Sequence, residues 1–581
     1  MTRSAPAPSL SIVRGPPLAA QEGIGALTIG GYLREVAERF GPREALVMRL
    51  GEGRLSWTYD QLLARAIEVA KALIAAGAGK DSRIGVLMTN RPEHLSAVFG
   101  IGLAGGVVVS LSTFSTPMEL EYLLQAGGVS ILLYDRQVLK KDFGALLAEL
   151  EPQILSSGPG ALASARFPYL RRLVALDSVT GGGDPAPDGQ AVERWDDFIA
   201  GGAAVPSALV EARAAGVTPS DTGALFFSSG TTSLPKGIVH AQRAIALQWW
   251  RWPELMDLDP ERFPVRCWTG NGFFWSGNIS MVVGNALSSG GTVVLQPIFQ
   301  ADEALEIMEK ERVSYPIGRP HQWARLEASE RWAGADLSSI HYVTYGAKIC
   351  EHPTVETDWK LGPAFGTTET LTVMTAVTAN APDADIKGNY GKPLAGNIIK
   401  IFDPLTGAVV PRGQRGEVAI KGPTLMLGYV GKSLETVFDE DGFFCTGDGG
   451  YVDEEGRLFW EGRLTDMIKT GGANVSPLEV DAVLANYPGV KRAQTVGVPH
   501  ETLGEMVVAC IVAHEDAALD AGAILAFLKE RLASFKTPRA ILFFREDEFA
   551  VTGSEKVKTG ALRELATARI DQSPGLKTAL G

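Results

Sequence analysis

The sequence of 581 residues predicts an α/β fold, because helical and extended patterns alternate along most of the chain. A first alternating series runs from about Ile29 to Val217, and a second runs from Ala224 to about Thr378. After Asn389 the pattern changes to short strands separated by glycine and proline turns, which predicts a barrel-like β subdomain. Residues 465–581 again mix helices and strands and are long enough for a separate, small α+β domain.

The individual segments explain this prediction in chain order. YLREVAERFG and TYDQLLARAIEVAKALIAAG carry apolar residues at helical spacing, whereas RIGVLM, GGVVVSL, SILLYD and RRLVALD are typical of buried strands. Such alternation favours a largely parallel sheet with helices on its faces. The second series begins with a strand pattern, ALFF, and a helix pattern, AQRAIALQWWRW. In the last part of the chain, SPLEVDAVLANYP and DAGAILAFLKERLASF predict helices, and VVACIVAHE and AILFF predict strands.

Two segments raise the question of targeting or membrane insertion. Residues 1–28 are rich in Pro and Ala and have no apolar stretch of signal-peptide length, which predicts a loose leader. The uncharged run Leu95–Met118 is long enough to cross a membrane, but its glycines and its Ser/Thr-rich second half favour a buried helix followed by a strand. We therefore predict no integral membrane segment. The predicted domains are the leader, an N-terminal domain at 29–464 with its β-rich part at 389–464, and a C-terminal domain at 465–581.

Composition and charge restrict the possible partners and compartment. The formal net charge is −13, so a broad surface for nucleic acid or anionic lipid is not expected, and any phosphate site must be local. The chain is 45% hydrophobic and 21% charged, which is typical of an ordered globular protein. Its four cysteines lie far apart with no CxxC pair, which indicates a reducing compartment and predicts a cytoplasmic location.

The stretch LFFSSGTTSLPKG (Leu225–Gly237) is rich in hydroxyl and backbone N–H donors, contains no acid and carries one lysine. It lies between a predicted strand and a predicted helix, where free N–H groups can converge on an anion, and the lysine adds a point charge for phosphate oxygens. An ordinary flexible loop remains open as an alternative from this stretch alone. It is not a Walker P-loop, and MLGYVGKS misses that motif because Met426 replaces its first glycine.

A second glycine motif, GIGLAG (Gly100–Gly105), formally matches the dinucleotide fingerprint GxGxxG. That fingerprint requires a strand before it and a helix after it. Here the helix-like EHLSAVF precedes the motif and the strand-like GVVVSL follows it. A packing role is therefore favoured over cofactor binding, and the dehydrogenase alternative would require NAD binding.

Three further segments point to one family. FGTTE (Phe365–Glu369) combines Gly-Thr-Thr with an acid, TGDGGYVDEEGRLFWEGRLTDMIKTGGANVSPLEVD carries Asp448 and Arg463, and TGSEKVKTGALRE carries Lys556. In this order, and after the hydroxyl-rich stretch, they resemble the adenylate-forming family of acyl-CoA synthetases, luciferases and peptide-synthetase adenylation domains. The resemblance covers nearly all of the chain after the leader. It implies a large domain of two packed α/β sheets with a β-rich subdomain, and a small, mobile C-terminal domain.

The resemblance also implies a nucleotide site assembled from distant parts of the chain. Glu369 would hold Mg²⁺ on the ATP phosphates, which suits an isolated carboxylate, and Thr368 would contact the α-phosphate. Asp448, assisted by Arg463, would accept hydrogen bonds from the ribose hydroxyls, although a surface ion pair remains an alternative for these two residues. Around the phosphates, the other implied residues are Ser228, Ser229, Gly230, Thr231, Thr232 and Lys236. Around the adenine base, they are Gly346, Ala347, Lys348 and Phe365, and Gly366 and Thr367 of the FGTTE motif are also implied to bind the nucleotide.

The catalytic step and the acceptor site are implied in the last part of the chain. Lys556 would stabilise the charge that builds on the carboxylate and the α-phosphate, the electrostatic role that dominates nucleotidyl transfer, with Lys558 as a nearby rival. Thr465 would be the hinge on which the small domain turns for the second step. Gly471 and Gly472 would line a pantetheine tunnel of coenzyme A, and Lys469 would join the thioester half-reaction. A simple turn at these glycines remains an alternative.

The sequence indicates the binding site for the acyl group less clearly than the nucleotide site. Trp268, Phe273, Phe274 and Trp275 suggest an aromatic, apolar wall, although core packing explains such a cluster equally well. No acid lies in this segment to meet an amino group, so an amino-acid substrate is disfavoured. Phe274 stands where many acyl and aryl ligases have histidine, Thr465 replaces the usual Asp or Lys of the hinge, and Glu555 replaces the usual glycine before the catalytic lysine.

These features predict an AMP-forming acyl-CoA ligase that uses ATP, Mg²⁺ and CoA to activate an apolar carboxylic acid, fatty or aryl. Two alternatives remain open, namely transfer of the acyl group to a carrier protein or other acceptor, and a nucleotide-binding relative that has lost turnover. The sequence leaves the oligomeric state undecided, with a homodimer among the options.

Overall fold

A computed structural model gives the structure of the chain, and it describes residues 9–177, 189–228, 235–343, 347–470, 473–500, 503–532, 536–549 and 557–572. The strands are β1 (Ile12–Arg14), β2 (Glu44–Leu50), β3 (Gly53–Thr58), β4 (Arg83–Leu87), β5 (Val107–Ser110), β6 (Ile131–Asp135), β7 (Gln137–Val138), β8 (Lys141–Asp142), β9 (Arg172–Leu176), β10 (Val192–Arg194), β11 (Thr222–Ser228), β12 (Lys236–Ala241), β13 (Arg266–Thr269), β14 (Thr292–Leu295), β15 (Tyr315–Ile317), β16 (Ala364–Phe365), β17 (Thr375–Ala376), β18 (Lys392–Pro393), β19 (Ile398–Phe402), β20 (Gly416–Lys421), β21 (Gly428–Tyr429), β22 (Phe444–Val452), β23 (Leu458–Arg463), β24 (Ile468–Thr470), β25 (Ala473–Val475), β26 (Val490–His500), β27 (Gly504–Ala513) and β28 (Ala540–Phe543).

The helices are α1 (Ile29–Phe40), α2 (Tyr59–Ala75), α3 (Pro92–Ala104), α4 (Pro117–Gly127), α5 (Phe143–Leu150), α6 (Trp195–Gly201), α7 (Ser207–Ala215), α8 (Gln242–Leu255), α9 (Ser276–Ser288), α10 (Ala301–Lys310), α11 (Pro320–Glu327), α12 (Asp383–Ile386), α13 (Pro477–Leu484), α14 (Ala521–Lys529) and α15 (Thr559–Asp571). The chain divides into two compact units. The larger comprises Arg14–Ile398 and Lys421–Gly442, and the smaller comprises Met1–Val13, Ile399–Ile420 and Phe443–Gly581.

The larger unit is built on two α/β sheets, as predicted. One has eight strands in the order β10-β9-β6-β4-β5-β11-β12-β21, and the other has five in the order β15-β13-β14-β2-β3. Most neighbouring strands run parallel, and the antiparallel exceptions are β12, β21 and β3. Parallel strands need crossover helices, which the alternating sequence pattern supplies.

Both faces of the eight-stranded sheet are buried, because alternate residues of its strands enter different cores. Leu133 and Val174 pack into the core that also holds α1, α2, α3, α8 and α9, whereas Leu132 and Leu173 pack into a second core with α4 and α5. The five-stranded sheet contributes to the first core and, on its other face, to a third core with α10. The helices of the first core therefore lie between the two sheets.

The GIGLAG glycines serve helix packing, as the order of elements predicts. They lie on α3 and at its end, and α3 is buried almost throughout. A Cβ atom on Gly100 would lie 2.7 Å from Cβ of Val69, and one on Gly102 would lie 2.7 Å from Cγ2 of Ile29. Both glycines thus allow α3 to approach its neighbours closely. Among the described residues, no helix is long and apolar enough to cross a membrane.

The smaller unit contains two sheets, one with strand order β1-β19-β20-β22-β23 and one with order β25-β24-β27-β26, to which β28 adds alongside β27. Helices α13 and α14 share one core of the second sheet, and α15 contributes to another. The first sheet corrects the prediction of a loose leader, since Ile12–Arg14 forms its edge strand. The backbone amide of Ser11 donates to the Val410 carbonyl, a pairing between distant segments that local composition does not reveal.

Candidate active site

The hydroxyl-rich stretch forms the connection of a β-hairpin. Strand β11 ends at Ser228 and β12 begins at Lys236, and these two residues are direct cross-strand partners. A strand therefore lies between the loop and helix α8, where the sequence predicts the helix alone. Ser229, Gly230, Thr231 and Thr232 lie outside the described residues. The hairpin register fixes the two ends of the loop and places Lys236 at its mouth.

A tyrosine links the lysine of this hairpin to the predicted metal-binding acid. Strand β21 pairs with β12 and sets Tyr429 opposite Ile238. The Lys236 ammonium lies 5.4 Å from the centre of the Tyr429 ring, and the Tyr429 hydroxyl donates a 2.7 Å hydrogen bond to Oε1 of Glu369. A cation, a phenol and a carboxylate are thereby held beside β21, the edge strand of the eight-stranded sheet. Lys236 and Tyr429 are 193 positions apart in sequence, and Glu369 and Tyr429 are 60 apart.

Glu369 lies in a tight turn, Phe365–Thr372, which we call the FGTTE turn. The Thr372 amide donates to the Thr367 carbonyl at 3.1 Å, and the backbone folds back so closely that a Cβ on Gly366 would lie 1.4 Å from the Thr372 carbonyl oxygen. Thr372 has φ of 112°, which is rare for a β-branched residue. Only glycine fits position 366 of this turn.

Three neighbouring elements anchor the FGTTE turn. Gln248 of α8 donates to the Thr370 carbonyl at 3.3 Å, and the Met426 amide donates to the Glu369 carbonyl at 2.7 Å. On β12, Nε2 of His240 lies 2.8 Å from the Thr368 carbonyl. A carbonyl can only accept, so Nε2 carries the proton and His240 is the donor. The predicted α-phosphate and metal residues therefore sit on a turn fixed from three sides.

His240 is fully buried, and burial lowers its pKa to about 4, although the Thr368 carbonyl and the Glu369 carboxylate act in the opposite direction. His94, also buried, has its pKa lowered to about 4 by the same cause. Both imidazoles are therefore neutral near pH 7. A neutral His240 keeps its Nε2 donor without adding positive charge beside Glu369.

Acid should destabilise the larger unit through these two histidines. Between pH 6.5 and 4 the unfolded chain binds protons that the folded chain does not, so the free energy of unfolding falls as pH falls, by about 3 kcal/mol per histidine. His240→Gln keeps a donor and removes the titration. We expect urea unfolding, followed by tryptophan fluorescence at pH 7, 5.5 and 4, to show a smaller loss in this variant, and an equal loss would contradict the assignment.

The side chains around Glu369 determine how this site could hold Mg²⁺. Within the described part of the chain, no three His, Cys, Asp or Glu side chains converge on one point. Glu369 offers one carboxylate whose Oε1 accepts from Tyr429, which leaves Oε2 for a cation. Mg²⁺ typically takes one or two protein carboxylates and completes its shell with substrate phosphates and water. The residues present fit a nucleotide-borne Mg²⁺ and do not form a self-sufficient metal cage.

In the smaller unit, Asp448 and Arg463 face each other across β22 and β23. Arg463 Nε lies 3.2 Å from Oδ1 of Asp448, which is almost fully buried, whereas Arg463 is half exposed. The Arg463 guanidinium also donates to the Thr446 carbonyl. Gly447, with φ of 73°, and the bulge at Gly449–Gly450 shape the strand next to the carboxylate. The Asp448–Arg463 ion pair is thus fixed by the pairing of β22 with β23.

Of the remaining residues predicted to bind the nucleotide or serve the thiol acceptor, the structure describes some and not others. Lys348 begins a short 3₁₀ turn and pairs with Glu351 at 2.9 Å, while Ala347 packs on the third core. Thr465 lies in the 3₁₀ turn Leu464–Asp466, and Lys469 is exposed on β24. Gly346, Gly471, Gly472 and Lys556 lie outside the described residues.

The four aromatic residues predicted to form an acyl wall divide into two pairs. Trp268 and Phe273 are completely buried, in the third and first cores respectively. Phe274 and Trp275 contact each other with ring centres 5.0 Å apart, and the Arg319 guanidinium lies 5.1 Å from the Trp275 ring. The core alternative raised from the sequence thus applies to the first pair, and the second pair stays a candidate wall.

Tyr429, His240 and Asn90 complete the candidate site, and sequence reasoning missed all three. The Asn90 side chain donates to the Asn271 carbonyl at 2.7 Å and accepts from the Phe273 amide at 2.9 Å, so it fixes the segment that leads to Phe274. The β-branched pair Ile238–Val239 in KGIVHA could have indicated strand β12 and with it His240. The partners of Tyr429 and Asn90 are distant in sequence, and no local pattern indicates them.

Comparisons with known proteins agree with this geometry. A sequence model of the AMP-binding enzyme family matches residues 33–430, and a model of the AMP-binding enzyme C-terminal domain matches residues 479–556. The chain is 30% identical to a feruloyl-CoA synthase of an Amycolatopsis species, over 88% of this chain and 94% of that protein, and 30% identical to an indoleacetate–CoA ligase of Aromatoleum aromaticum, with the same coverage. A crystal structure of the anthranilate CoA ligase AuaEII with anthranoyl-AMP has the same fold, with a TM-score of 0.75 and 23% identity over 94% of this chain and 98% of that one.

Proposed function

The chain belongs to the family of AMP-binding enzymes, and from this premise we propose that it is an AMP-forming acyl-CoA ligase for a hydrophobic carboxylic acid. In the first step, a carboxylate oxygen attacks the α-phosphorus of ATP and pyrophosphate leaves, which gives the acyl-adenylate. In the second step, the CoA thiol attacks the acyl carbon, loses its proton and displaces AMP. No electrons are exchanged with an outside donor.

The observation that carries this proposal is the arrangement of Lys236, Tyr429 and Glu369. Lys236 supplies a cation for the β- and γ-phosphates, and Glu369 supplies the oxygen for a nucleotide-bound cation. When bound, Mg²⁺ would offset the charge of the departing pyrophosphate. Tyr429 contacts both side chains, so Lys236 would meet the polyphosphate directly and Glu369 would act on it through the bound cation.

The other roles in this proposal rest on the family resemblance. Thr368 contacts the α-phosphate, Phe365 packs on the base, and the Lys556 cation stabilises the charge that builds during adenylation. Thr465 is the hinge before the C-terminal domain at 465–581, and Lys469 with Gly471 and Gly472 serves the thiol acceptor. We further propose Mg²⁺ as the cation and the cytoplasm as the location, while a homodimer stays a prediction.

A panel of carboxylic acids tests the activity. Purified protein with ATP and Mg²⁺ is given fatty and aromatic acids, with and without CoA, and pyrophosphate, AMP and thioester are measured. We expect acid-dependent pyrophosphate release and, with CoA, equal amounts of AMP and acyl-CoA. Pyrophosphate release without CoA consumption would favour a carrier-protein acceptor instead. Absence of pyrophosphate release with every acid would contradict the proposal.

Asp448→Asn should raise the KM for ATP by about thirtyfold, because a hydrogen bond to a charged acceptor contributes roughly 1.5–3 kcal/mol. The measurement is steady-state kinetics with ATP varied at saturating acid and CoA, and the KM for CoA should not change. Asp453→Asn is the matched control, since Asp453 pairs with Arg457 at 2.6 Å in the turn that joins the same two strands, β22 and β23. Equal effects of the two substitutions would show that Asp448 acts only on the stability of the sheet.

A further inference from the structure

The loop between β5 and α4 presents a large aromatic side chain to solvent. Phe114 is 62% exposed, and Met118, at the start of α4, is 74% exposed. Single exposed apolar residues are common, but an exposed phenylalanine on an ordered loop beside a candidate substrate wall suggests a function. The contacts of this loop show whether it is ordered and what the ring faces.

The side chain of a lysine holds the backbone of this loop. The Lys141 ammonium donates to the carbonyls of Thr113, Phe114 and Ser115 at 3.3, 2.8 and 3.0 Å. On its C-terminal side, Thr116 and Glu119 form a capping box that begins α4. Because one ammonium satisfies three consecutive carbonyls, the loop has little freedom to fold Phe114 inward. The backbone position from which the Phe114 ring projects is therefore fixed.

The Phe114 ring extends the aromatic pair Phe274–Trp275. It meets Phe274 edge to face, with centres 5.7 Å apart at 80°, and lies 6.4 Å from Trp275. Ser110, at the end of β5, donates to the Phe274 carbonyl at 3.2 Å and so ties the loop's strand to the same segment. The three rings form one continuous apolar surface that begins at the buried Phe274 and ends at solvent.

This surface lies in the same unit as the hairpin that carries Lys236. The Tyr122 hydroxyl of α4 donates to the carbonyl of Pro235, the residue before Lys236, at 3.0 Å. The helix that follows the Phe114 loop therefore touches the end of the proposed phosphate-binding loop. Helix α4 therefore joins the loop that carries Phe114 to the described end of the hairpin.

We propose that Phe114 is a specificity-determining residue, whose ring forms the outer end of the acyl site with Phe274 and Trp275 and favours flat, ring-bearing acids over linear aliphatic ones. This inference rests on the proposed ligase function. Ring-bearing acyl groups gain edge-to-face contacts with such a surface that an aliphatic chain lacks. Lys141 acts as a positioning residue, because it holds the loop that carries Phe114.

Phe114→Ala tests this inference, with cinnamate as the flat acid and hexanoate as the linear acid. We expect the KM for cinnamate to rise about tenfold, the KM for hexanoate to change less than about threefold, and kcat and the KM for ATP to stay unchanged. Phe114→Trp should keep the wild-type preference. Lys141→Met should raise the KM for cinnamate without lowering kcat, since it frees the loop and leaves the ring.

The controls separate this inference from the proposed function. Met118→Ala removes a more exposed apolar side chain outside the aromatic surface, and we expect it to leave all KM values unchanged. An equal rise in Met118→Ala, an unchanged cinnamate KM in Phe114→Ala, or a wild-type preference for hexanoate would each overturn the role of Phe114. A wild-type protein that releases no pyrophosphate with either acid or with the wider panel would instead refute the ligase function itself.

Discussion

Glu369→Gln lowers kcat for acyl-adenylate formation by about a thousandfold, which is the largest effect we expect from any single charge in the site. Glutamine keeps the shape of the side chain and can still accept from the Tyr429 hydroxyl at Oε1. It removes the negative charge that holds a cation on the polyphosphate. The measurement is acid-dependent pyrophosphate release across a range of Mg²⁺ concentrations.

Two further variants show whether the charge or the fold causes this loss. Tyr429→Phe removes the hydrogen bond and keeps the ring beside Lys236, so we expect a loss of about tenfold. Glu330→Gln removes an exposed carboxylate elsewhere in the larger unit and should change nothing. Raised Mg²⁺ should recover part of the activity of Glu369→Gln. Wild-type activity in that variant would remove Glu369 from the proposed metal site.

Gly366→Ala should disrupt the FGTTE turn, because the added methyl group clashes with the backbone of the turn itself. The new Cβ would lie 1.4 Å from the Thr372 carbonyl oxygen and 2.9 Å from Cα of Val373, so the backbone must move. We expect the free energy of unfolding to fall by about 3 kcal/mol, because backbone cannot yield as a side chain can. We also expect kcat/KM for ATP to fall by more than about a hundredfold, since Thr368 and Glu369 are displaced with the turn.

Gly334→Ala is the matched control, because nothing lies within 4 Å of the Cβ that it would add. The two variants are compared by urea unfolding and by ATP kinetics. The control should match the wild-type protein in both measurements. A Gly366→Ala protein with wild-type stability would show that the turn can open at no cost, and the geometry described for it would then be wrong.

The sequence predicts most of the fold because local patterns encode it. Alternating helix and strand patterns locate the βα units, and the element order around GIGLAG separates helix packing from a dinucleotide site. What the sequence misses depends on distant pairing. Ile12–Arg14 has no apolar alternation of its own, and it becomes a strand only because β19 offers an edge.

The same distinction holds for the candidate site. Glu369, Asp448 and Arg463 lie in short motifs whose chemistry is recognisable, and the structure shows the last two as cross-strand partners. Tyr429, by contrast, gains its role from the pairing of β21 with β12, and Asn90 gains its role from a loop that follows it by about 180 residues. For Trp268 and Phe273 the sequence suggests a site that the structure does not support, since a run of aromatic residues does not reveal which rings enter a core.

The path of the chain through the two units limits where it can be cut. Lys421–Gly442 belongs to the larger unit, although the segments on either side of it belong to the smaller one. A fragment that stops at Ile398 would keep Lys236 and Glu369 but lose β21, so β12 would become an open edge and the two charges would lose the phenol that touches both. The two units therefore cannot be separated by a single cut, and a fragment meant to contain the larger unit has to include residues 421–442 together with residues 14–398.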